Sequence, residues 1–198
     1  MNVLIQRCRD MNKDVYVCFI DYTKVFDTVT HDKLMDILQR MQLDEADKRI
    51  VANLYWFQTP KVKFERSYSE KIAIRPGVRQ SCILSPLLFN LYSENIFKEA
   101  LEQAPPGIVV NGTGINNIRY ADDTVILSDN FQDLRVMINN ICEVSQDYGL
   151  EINISKTKLM IVSRRNVQET LNIKGKLVEQ VDKYKYLGTW VNNRAEQM

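Results

Sequence analysis

The sequence predicts an α+β fold in which helices pack on one face of a mostly antiparallel β-sheet. Apolar runs typical of strands alternate with amphipathic, helix-like segments in the order β-αα-β-α-β-α-β. Short turn sequences such as Asn111-Gly112 separate neighbouring runs, which favours hairpins and antiparallel pairing. The chain has 198 residues, is 45% hydrophobic and contains seven Gly and five Pro, so it can bury a core.

The first elements are a strand and two helices. Residues 15–20 (VYVCFI) are apolar throughout and predict a buried strand that ends at Asp21. Thr30 is suited to cap a helix that runs to residue 42, and a second helix is expected over residues 44–55. The side chains predicted to face inward from these helices are Leu34, Ile37, Leu38, Met41, Ile50, Val51, Leu54 and Tyr55.

A hairpin and a third helix follow. The alternation over residues 62–74 predicts a hairpin that turns at residues 67–70. Ser85 and Pro86 are suited to the cap and first turn of the next helix, and residues 108–110 form a short strand before the Asn-Gly turn. The third helix is predicted to face inward with Leu87, Leu88, Leu91 and Ile96.

The last part of the chain contains a tight hairpin, a long helix and several short strands. Residues 117–127 predict two strands that meet at residues 121–123. A helix is expected over residues 132–148, and Gly149 ends it. Its predicted inward side chains are Leu134, Met137, Ile138, Ile141 and Val144, and the strand-like segments that follow are 159–162, 171–173, 177–178 and 184–191.

Charge and cysteine content narrow the class of protein. A net charge of +1 excludes a uniformly basic nucleic-acid binder, but basic segments at residues 61–79 and 156–185 flank an acidic stretch at 94–151. Such a distribution permits a phosphate-binding groove around a metal site. The four cysteines have no CxxC spacing and predict reduced thiols. Without a membrane-spanning run or a signal peptide, we expect an intracellular protein of the cytoplasm, the nucleus or both.

Three carboxylates stand where a metal-dependent phosphoryl-transfer enzyme needs them. Asp21 follows an apolar strand, and Asp122 and Asp123 occupy a turn between two strands. An acidic pair in a turn is common and says little alone. If the two strands are neighbours, however, Asp21 and Asp122 point at one place, where two carboxylates can bind a pair of Mg²⁺ ions through oxygen ligands.

Five ordered motifs resemble the reverse transcriptases of non-LTR (LINE-type) retrotransposons. The first two are residues 19–31 (FIDYTKVFDTVTH) and 77–90 (GVRQSCILSPLLFN), and the third is 120–123 (YADD). Residues 149–158 (GLEINISKTK) resemble the fourth, and residues 186–188 (YLG) resemble the fifth. Each motif is weak alone, but the ordered set is specific and spans about residues 3 to 191. The resemblance implies a polymerase palm, with its antiparallel sheet packed on helices and with partial fingers-side elements.

The resemblance also implies roles for the acids and for residues around the nucleotide. Asp21 and Asp122 would be the essential metal ligands, with Asp123 as an auxiliary acid. Phe26 would be the steric gate, whose ring excludes a 2′-hydroxyl and so selects dNTPs over NTPs. The remaining substrate-binding residues would be Arg79, Gln80 and Tyr120.

Further roles concern proton transfer and the primer. Lys156 would donate a proton to the departing pyrophosphate, with Lys158 as the alternative. The primer grip would consist of Tyr186, Leu187 and Gly188, where glycine lets the backbone approach the primer end. His31, next to a helix cap, is expected to make local hydrogen bonds. The two tryptophans, Trp56 and Trp190, could stack on bases, but core or partner contacts are the favoured interpretation.

As a whole, the resemblance implies an RNA-directed DNA polymerase. Its partners would be an RNA template, a DNA primer and dNTPs. Its cofactors would be two Mg²⁺ ions, for which Mn²⁺ is a possible substitute. We expect residues 1–198 to form a single palm domain truncated at both ends, with fingers and thumb largely missing. The sequence predicts no oligomeric state.

Two alternatives stay open. The family usually has Ala, Gly and Pro at the positions of Val25, Ser81 and Ile83, and extra side-chain atoms there would crowd bound substrate. A catalytically inactive remnant that at most binds nucleic acid is therefore the second hypothesis. A group II intron maturase or viral RNA polymerase is the third, although the aromatic Phe26 and the YADD turn argue against an RNA polymerase.

Overall fold

The computed structural model describes residues 1–55, 63–64, 67–68, 77–78, 82–165 and 167–194. The helices found there are α1 (Asn2–Asp10), α2 (Val25–Thr28), α3 (His31–Arg40), α4 (Glu45–Tyr55), α5 (Ser85–Leu101) and α6 (Phe131–Asp147). The strands are β1 (Val15–Ile20), β2 (Lys63–Phe64), β3 (Ser67–Tyr68), β4 (Ile108–Val110), β5 (Thr113–Ile115), β6 (Asn117–Tyr120), β7 (Asp123–Ser128), β8 (Lys158–Val162), β9 (Asn172–Ile173), β10 (Lys176–Leu177), β11 (Glu179–Gln180), β12 (Lys183–Tyr186) and β13 (Thr189–Asn192).

These elements form two compact units. The first consists of Met1–Thr23, Phe97–Asp147 and Glu151–Met198, and the second of Lys24–Ile96 and Tyr148–Leu150. The prediction of one domain truncated at both ends stays a prediction. Among the described residues, no helix is long and apolar enough to cross a membrane.

The first unit is built on a five-stranded sheet with the order β11-β8-β1-β7-β6. The central strand β1 pairs antiparallel with both β7 and β8, and all six of its residues are buried. The apolar run of residues 15–20 therefore forms the buried strand that the sequence predicts. Strands β6 and β7 are also antiparallel, and only the edge pair β8–β11 is parallel among the described strands.

The two faces of this sheet are covered differently. On one face, α6 packs on β1, with the rings of Tyr16 and Phe131 5.5 Å apart. On the other face, α1 and the β12–β13 hairpin contribute Ile5, Cys8, Tyr186 and Val191 to a cluster of buried residues. Helices thus lie on both faces rather than on one, because α1, which the sequence analysis did not predict, covers the second face.

The second unit is mainly helical. Leu34, Ile37 and Leu38 of α3 are buried, as are Phe89 and Tyr92 of α5. The α3 helix begins after Thr30 as predicted. The Thr30 hydroxyl, however, makes no cap and instead bonds the Tyr92 hydroxyl at 2.9 Å.

Some predicted inward positions are wrong. Met41 is exposed because α3 already ends at Arg40. Ile50, Leu54 and Leu87 are also exposed, although each belongs to an apolar helical stripe. Periodicity identifies such a stripe, but it does not show what covers it. The inward positions that are buried are Leu34, Ile37, Leu38, Tyr55, Leu88, Ile96, Leu134, Met137, Ile138 and Ile141.

The hairpins follow their turn sequences. The β4–β5 hairpin closes with Asn111 and Gly112, both at positive φ, as type I′ turns require. The β2–β3 hairpin is tighter than predicted, since Phe64 already pairs with Ser67. Its predicted second strand, residues 72–74, lies outside the described residues.

Candidate functional site

Asp21 and the acidic turn meet at one end of the sheet in the first unit. In the antiparallel pair, Ile20 of β1 lies opposite Thr124 of β7. The same register continued by one residue sets Asp21 opposite Asp123, where side chains of neighbouring strands are about 5 Å apart. The two strands are therefore neighbours, as the proposed metal site requires.

Asp122 lies in the two-residue turn that joins β6 to β7. Tyr120 pairs with Asp123, so Ala121 and Asp122 form the loop. Ala121 has a φ of 54°, a left-handed conformation that alanine seldom adopts. Strain of this kind is characteristic of functional turns, because only a well-supported backbone keeps it.

The three carboxyl groups influence one another electrostatically. Burial raises the pKa of Asp21, the ammonium of Lys156 opposes the rise, and Asp122 adds to it. The pKa of Asp123 is also raised, first by partial removal from water and then by the charges of Asp122 and Asp21. The acids are thus close enough to repel one another, and a cation between them would relieve this repulsion.

One oxygen of this group lacks a hydrogen bond. Within the described part of the chain, Oδ1 of Asp21 is the single buried side-chain oxygen or nitrogen without a hydrogen bond. A buried carboxylate oxygen in this state costs free energy unless a cation or donor reaches it. Across those same residues, no group of three or more His, Cys, Asp or Glu side chains is arranged to hold a metal ion. A metal ion bound by these acids would therefore need further ligands from water or substrate.

The turn that carries Lys156 is fixed beside Asp21. The backbone N–H of Asn153 donates to the backbone carbonyl of Asp21 at 2.8 Å, and the backbone N–H of Asp21 donates to Thr157 Oγ1 at 3.3 Å. The amides of Lys156 and Thr157 both donate to the Asn153 carbonyl, which closes the turn. As a result, Lys156 Nζ lies 3.9 Å from Oδ1 of Asp21.

Lys158, the alternative general acid, is directed elsewhere. Its ammonium group donates to Glu179 Oε2 at 2.7 Å and to the backbone carbonyl of Ser155. Its side chain is less exposed than that of Lys156. The geometry therefore favours Lys156 as the lysine near the acids.

The β12–β13 hairpin lies beside the same acids. The ring of Tyr184 stacks on Phe19 with centroids 4.1 Å apart, and the Tyr186 hydroxyl donates to the Asp123 carbonyl at 3.5 Å. Burial raises the pKa of both tyrosines, and the charge of Asp123 adds to it in each case. Tyr186 is itself buried, so its side chain positions the hairpin, whereas Leu187 and Gly188 form an exposed turn.

The remaining predicted site residues do not all belong to the first unit. Tyr120 is exposed in the first unit. Phe26 belongs to the second unit, where it lies on α2 and its ring contacts that of Phe89 at 5.4 Å. Val25, one of the departures from the family pattern, is buried there. Arg79, Gln80 and Ser81 lie outside the described residues.

Three residues of the site were missed by the sequence analysis. Tyr184, Asn153 and Thr157 each contact or orient the acid cluster, but none carries a charge. The alternation Tyr184-x-Tyr186 was a usable signal, because it places both rings on one strand face. The bonds of Asn153 and Thr157 to Asp21 join positions more than 130 residues apart, which local patterns do not reveal.

His31 was expected to make local hydrogen bonds and Trp190 to be a core or partner contact. His31 Nε2 donates to the carbonyl of Gly77 at 2.8 Å, a bond that spans 46 residues. Trp190 is 47% exposed, so it is not a core residue, and its contact with a partner or a base stays a prediction. Trp56 lies outside the described residues.

A family comparison decides the class of the protein. The family described as reverse transcriptase (RNA-dependent DNA polymerase) matches residues 2–191. The chain belongs to the reverse transcriptase family. Its relatives among characterised proteins confirm the resemblance to non-LTR retrotransposon enzymes.

This reverse transcriptase domain is 25% identical, across 98% of its length, to a Pol polyprotein of the type-1 retrotransposable element R2 from Nasonia vitripennis. It is 29% identical, across 79% of its length, to the R2 Pol polyprotein of Popillia japonica. The chain spans about a fifth of each relative, 20% and 22% respectively.

Solved structures with a similar fold include telomerases. Apo telomerase from Candida tropicalis superimposes with a TM-score of 0.70 at 17% identity, covering 98% of this chain and 34% of that one. Telomerase from Candida albicans, in complex with a fragment of telomeric RNA, gives 0.63 at 15% identity, covering 100% and 34%. These likenesses confirm the palm-type α+β fold of the reverse transcriptase domain.

Proposed function

We propose that this domain extends a DNA primer on an RNA template by metal-dependent transfer of nucleotides from dNTPs. The observation that carries the proposal is the buried Oδ1 of Asp21, which lacks a hydrogen bond and lies beside Asp122 and Asp123. Such an oxygen, among acids that repel one another, is suited to bind a cation. Membership of the reverse transcriptase family supports the same chemistry.

The donor set fits Mg²⁺ better than metals that prefer nitrogen or sulfur. Asp21 and Asp122 would hold two Mg²⁺ ions, with Asp123 as an auxiliary ligand. Mg²⁺ commonly uses one or two protein carboxylates together with water and substrate phosphates, so an open site is expected. Mn²⁺ shares the preference for oxygen and is the expected substitute. When bound, the metal ions would activate the primer 3′-hydroxyl and neutralise charge on the triphosphate.

The chain's own residues would then orient substrate and move a proton. Lys156, held beside Asp21 by the Asn153 turn, would protonate the departing pyrophosphate. The exposed Leu187-Gly188 turn would approach the primer end, because Tyr186 anchors it next to Asp123. Phe26 would exclude a 2′-hydroxyl, and Arg79, Gln80 and Tyr120 would bind substrate.

The test is incorporation of dNTPs on a primed RNA template by the purified chain. We expect Mg²⁺-dependent extension that Asp122→Asn abolishes, because the amide removes the charge and keeps the shape. The matched control is Asp147→Asn, which makes the same change at the exposed end of α6 and should retain activity. Equal extension by the parent chain and by Asp122→Asn would contradict the proposal.

A second measurement separates metal binding from turnover. Binding of Mn²⁺, followed by electron paramagnetic resonance in the presence of a dNTP, should weaken in Asp21→Asn and not in Asp147→Asn. Metal binding without primer extension by the parent chain would instead support the inactive remnant that binds nucleic acid. No loss of Mn²⁺ binding in Asp21→Asn would contradict the metal site itself.

A further inference from the structure

The outer face of the β12–β13 hairpin carries an exposed indole between two lysines. Lys185 pairs with Trp190, and Lys183 pairs with Asn192, so these four side chains share one face of the hairpin. The Trp190 ring is 47% exposed, and the Lys183 ammonium lies 5.4 Å from its centroid. An aromatic ring flanked by cations is a surface on which a nucleobase can stack while lysines meet its phosphates.

The inner face of the same hairpin holds this surface in place. Tyr184 stacks on Phe19, while Tyr186 and Val191 are buried in the core cluster of the first unit. The hairpin is therefore attached to the sheet through one face and presents the other to solvent. A fixed aromatic platform loses little conformational entropy when it binds a ligand.

A basic cavity lies at the base of the hairpin. It has a volume of about 740 Å³, and its lining includes Arg9 of α1, Arg164 after β8 and Arg194 after β13. Asp10, the acid in this lining, already accepts a hydrogen bond from Gln6 Nε2 at 2.9 Å. None of the three arginines forms an ion pair with another residue that the structure describes.

The neighbouring Arg165, unlike these three arginines, has an ion-pair partner. Its guanidinium group forms an ion pair with Asp14, so its charge is compensated within the unit. Arg164, one residue earlier, is exposed and directed to the cavity instead. Three guanidinium groups against the single carboxylate of Asp10 leave the cavity with a net positive charge, which suits phosphate groups.

The cavity is separate from the carboxylate site. Arg164 follows β8, whose last residue Val162 pairs with Val15 at the start of β1. Asp21 follows the other end of β1. Six residues of strand span about 20 Å, so the arginines and the acids lie at opposite ends of the sheet.

The hairpin connects these two ends. Its turn lies near the acids, where the Tyr186 hydroxyl bonds the Asp123 carbonyl. Its base lies at the cavity, since Asn193 lines the cavity. The backbone N–H of Asn193 donates to the backbone carbonyl of Asp182 at 2.9 Å, which closes the open end of the hairpin. Trp190 and Lys183 therefore lie on a continuous surface that leads from the acid end to the arginines.

We propose that this outer hairpin face and the arginine cavity form a binding track for single-stranded nucleic acid. Stacking on Trp190 requires an unpaired base, and the cavity supplies phosphate contacts beyond it. An acidic peptide would use the charges but would leave the indole without a role. The track needs neither the acids nor bound metal, so it goes beyond the proposed catalytic function.

The first test is direct stacking on Trp190. The chain contains two tryptophans, so Trp56→Phe leaves Trp190 as the single indole fluorophore. Short unstructured oligonucleotides of RNA and of DNA should quench its emission, and the two titrations distinguish which strand is preferred. Blunt duplexes of the same length should quench it weakly, because their bases are already stacked. Equal quenching by duplex and single strand would overturn the proposal.

The second test measures affinity by fluorescence anisotropy of a labelled single strand. Trp190→Ala should weaken binding roughly 5- to 150-fold, and Trp190→Phe should restore most of it, because either ring can stack. The triple variant Arg9→Gln, Arg164→Gln, Arg194→Gln should lower the slope of log affinity against log salt by about 2.

A triple variant with the same loss of charge is the matched control. Arg135→Gln, Lys174→Gln and Lys176→Gln remove three exposed cations from α6 and the β9–β10 hairpin, and should leave the salt slope near that of the parent chain. Circular dichroism confirms folding of every variant. If both triple variants weaken binding equally, or if Trp190→Ala binds as tightly as the parent, the track does not exist. Asp21→Asn should bind the strand unchanged, so this result is independent of catalysis.

Discussion

The ammonium nitrogen of Lys156 lies 3.9 Å from Oδ1 of Asp21, in a turn that backbone hydrogen bonds tie to the same aspartate. Two residues later, Lys158 is engaged by Glu179 and by a carbonyl of its own turn. The two lysines are alternatives on sequence grounds. Their different partners in the folded chain distinguish them, because only Lys156 is directed to the acid cluster.

The first prediction follows from this difference. Lys156→Gln should slow single-turnover dNTP incorporation by about 10²- to 10⁴-fold, the usual contribution of a positioned general acid. Lys158→Gln, the matched control, should change the rate little, since the ion pair that it loses is with Glu179 and does not involve the three acids. Rapid-quench measurements give both rates. Equal losses in the two variants would show that Lys156 has no special role.

The second prediction concerns Phe26. Phe26→Val should reduce discrimination against rNTPs by at least about tenfold, because a smaller side chain removes the clash with a 2′-hydroxyl. The measurement is the ratio of kcat/KM for a dNTP and the matching rNTP. Phe89→Leu is the control: it changes the ring that contacts Phe26 and keeps the gate itself. An unchanged ratio in Phe26→Val would exclude the gate.

Much of the fold was predictable because the signals are local. The apolar run of β1, the Asn111-Gly112 turn and the stripe of α6 each specify an element from a few neighbouring residues. The acid pair was predictable for the same reason, since a turn between two apolar strands places Asp122 at a strand end. The resemblance to a known family then supplied the reason to expect Asp21 nearby.

The features that the sequence did not predict depend on contacts between residues that are far apart in the chain. Asn153 and Thr157 position Asp21 across more than 130 residues, and His31 bonds the carbonyl of Gly77 across 46 residues. The exposure of Ile50 and Leu54 was likewise hidden, because an apolar stripe looks the same whether it is covered or not. Charge in the sequence did not indicate that Arg9, Arg164 and Arg194 line one cavity, since three separate segments bring them together.

The third prediction is an acid-dependent loss of stability at Asp14. A hydrogen bond with the Ser163 hydroxyl is the main cause that lowers the pKa of Asp14 below its ordinary value of 3.8. Burial opposes it, and the Arg165 guanidinium lowers the pKa further. A depressed folded-state pKa stabilises the protein above the unfolded-state pKa, and this stability is lost as pH falls through the folded-state pKa. Asp14→Asn should therefore lower the free energy of unfolding at pH 7 by about 0.5–1 kcal/mol.

Urea unfolding at several pH values measures this effect. The difference between the parent chain and Asp14→Asn should shrink as pH falls below about 4 and vanish once Asp14 is protonated in the folded state as well. Asp147→Asn, at the exposed end of α6, should show no such convergence. A constant difference across the whole range would mean that the charge of Asp14 contributes nothing to stability.

The fourth prediction compares two glycines that share a backbone conformation but differ in their surroundings. Gly107 and Gly112 have φ values of +73° and +80°, so alanine is strained at either position. A Cβ at Gly107 would lie 2.5 Å from the Cα of Asn116 and from the carbonyl oxygen of Ile115, whereas nothing lies within 4 Å at Gly112.

The two nearest of the three atoms that a Cβ at position 107 would meet belong to backbone, which cannot move aside without shifting β5. Gly112→Ala should cost about 1 kcal/mol from the left-handed conformation alone. Gly107→Ala should cost at least about 2 kcal/mol more, because overpacking is added to the same strain. Urea unfolding with an unchanged m-value checks both figures. Equal costs in the two variants would show that the strand pair β4–β5 relaxes around the added methyl group, and that the close approach at Gly107 is not what requires glycine there.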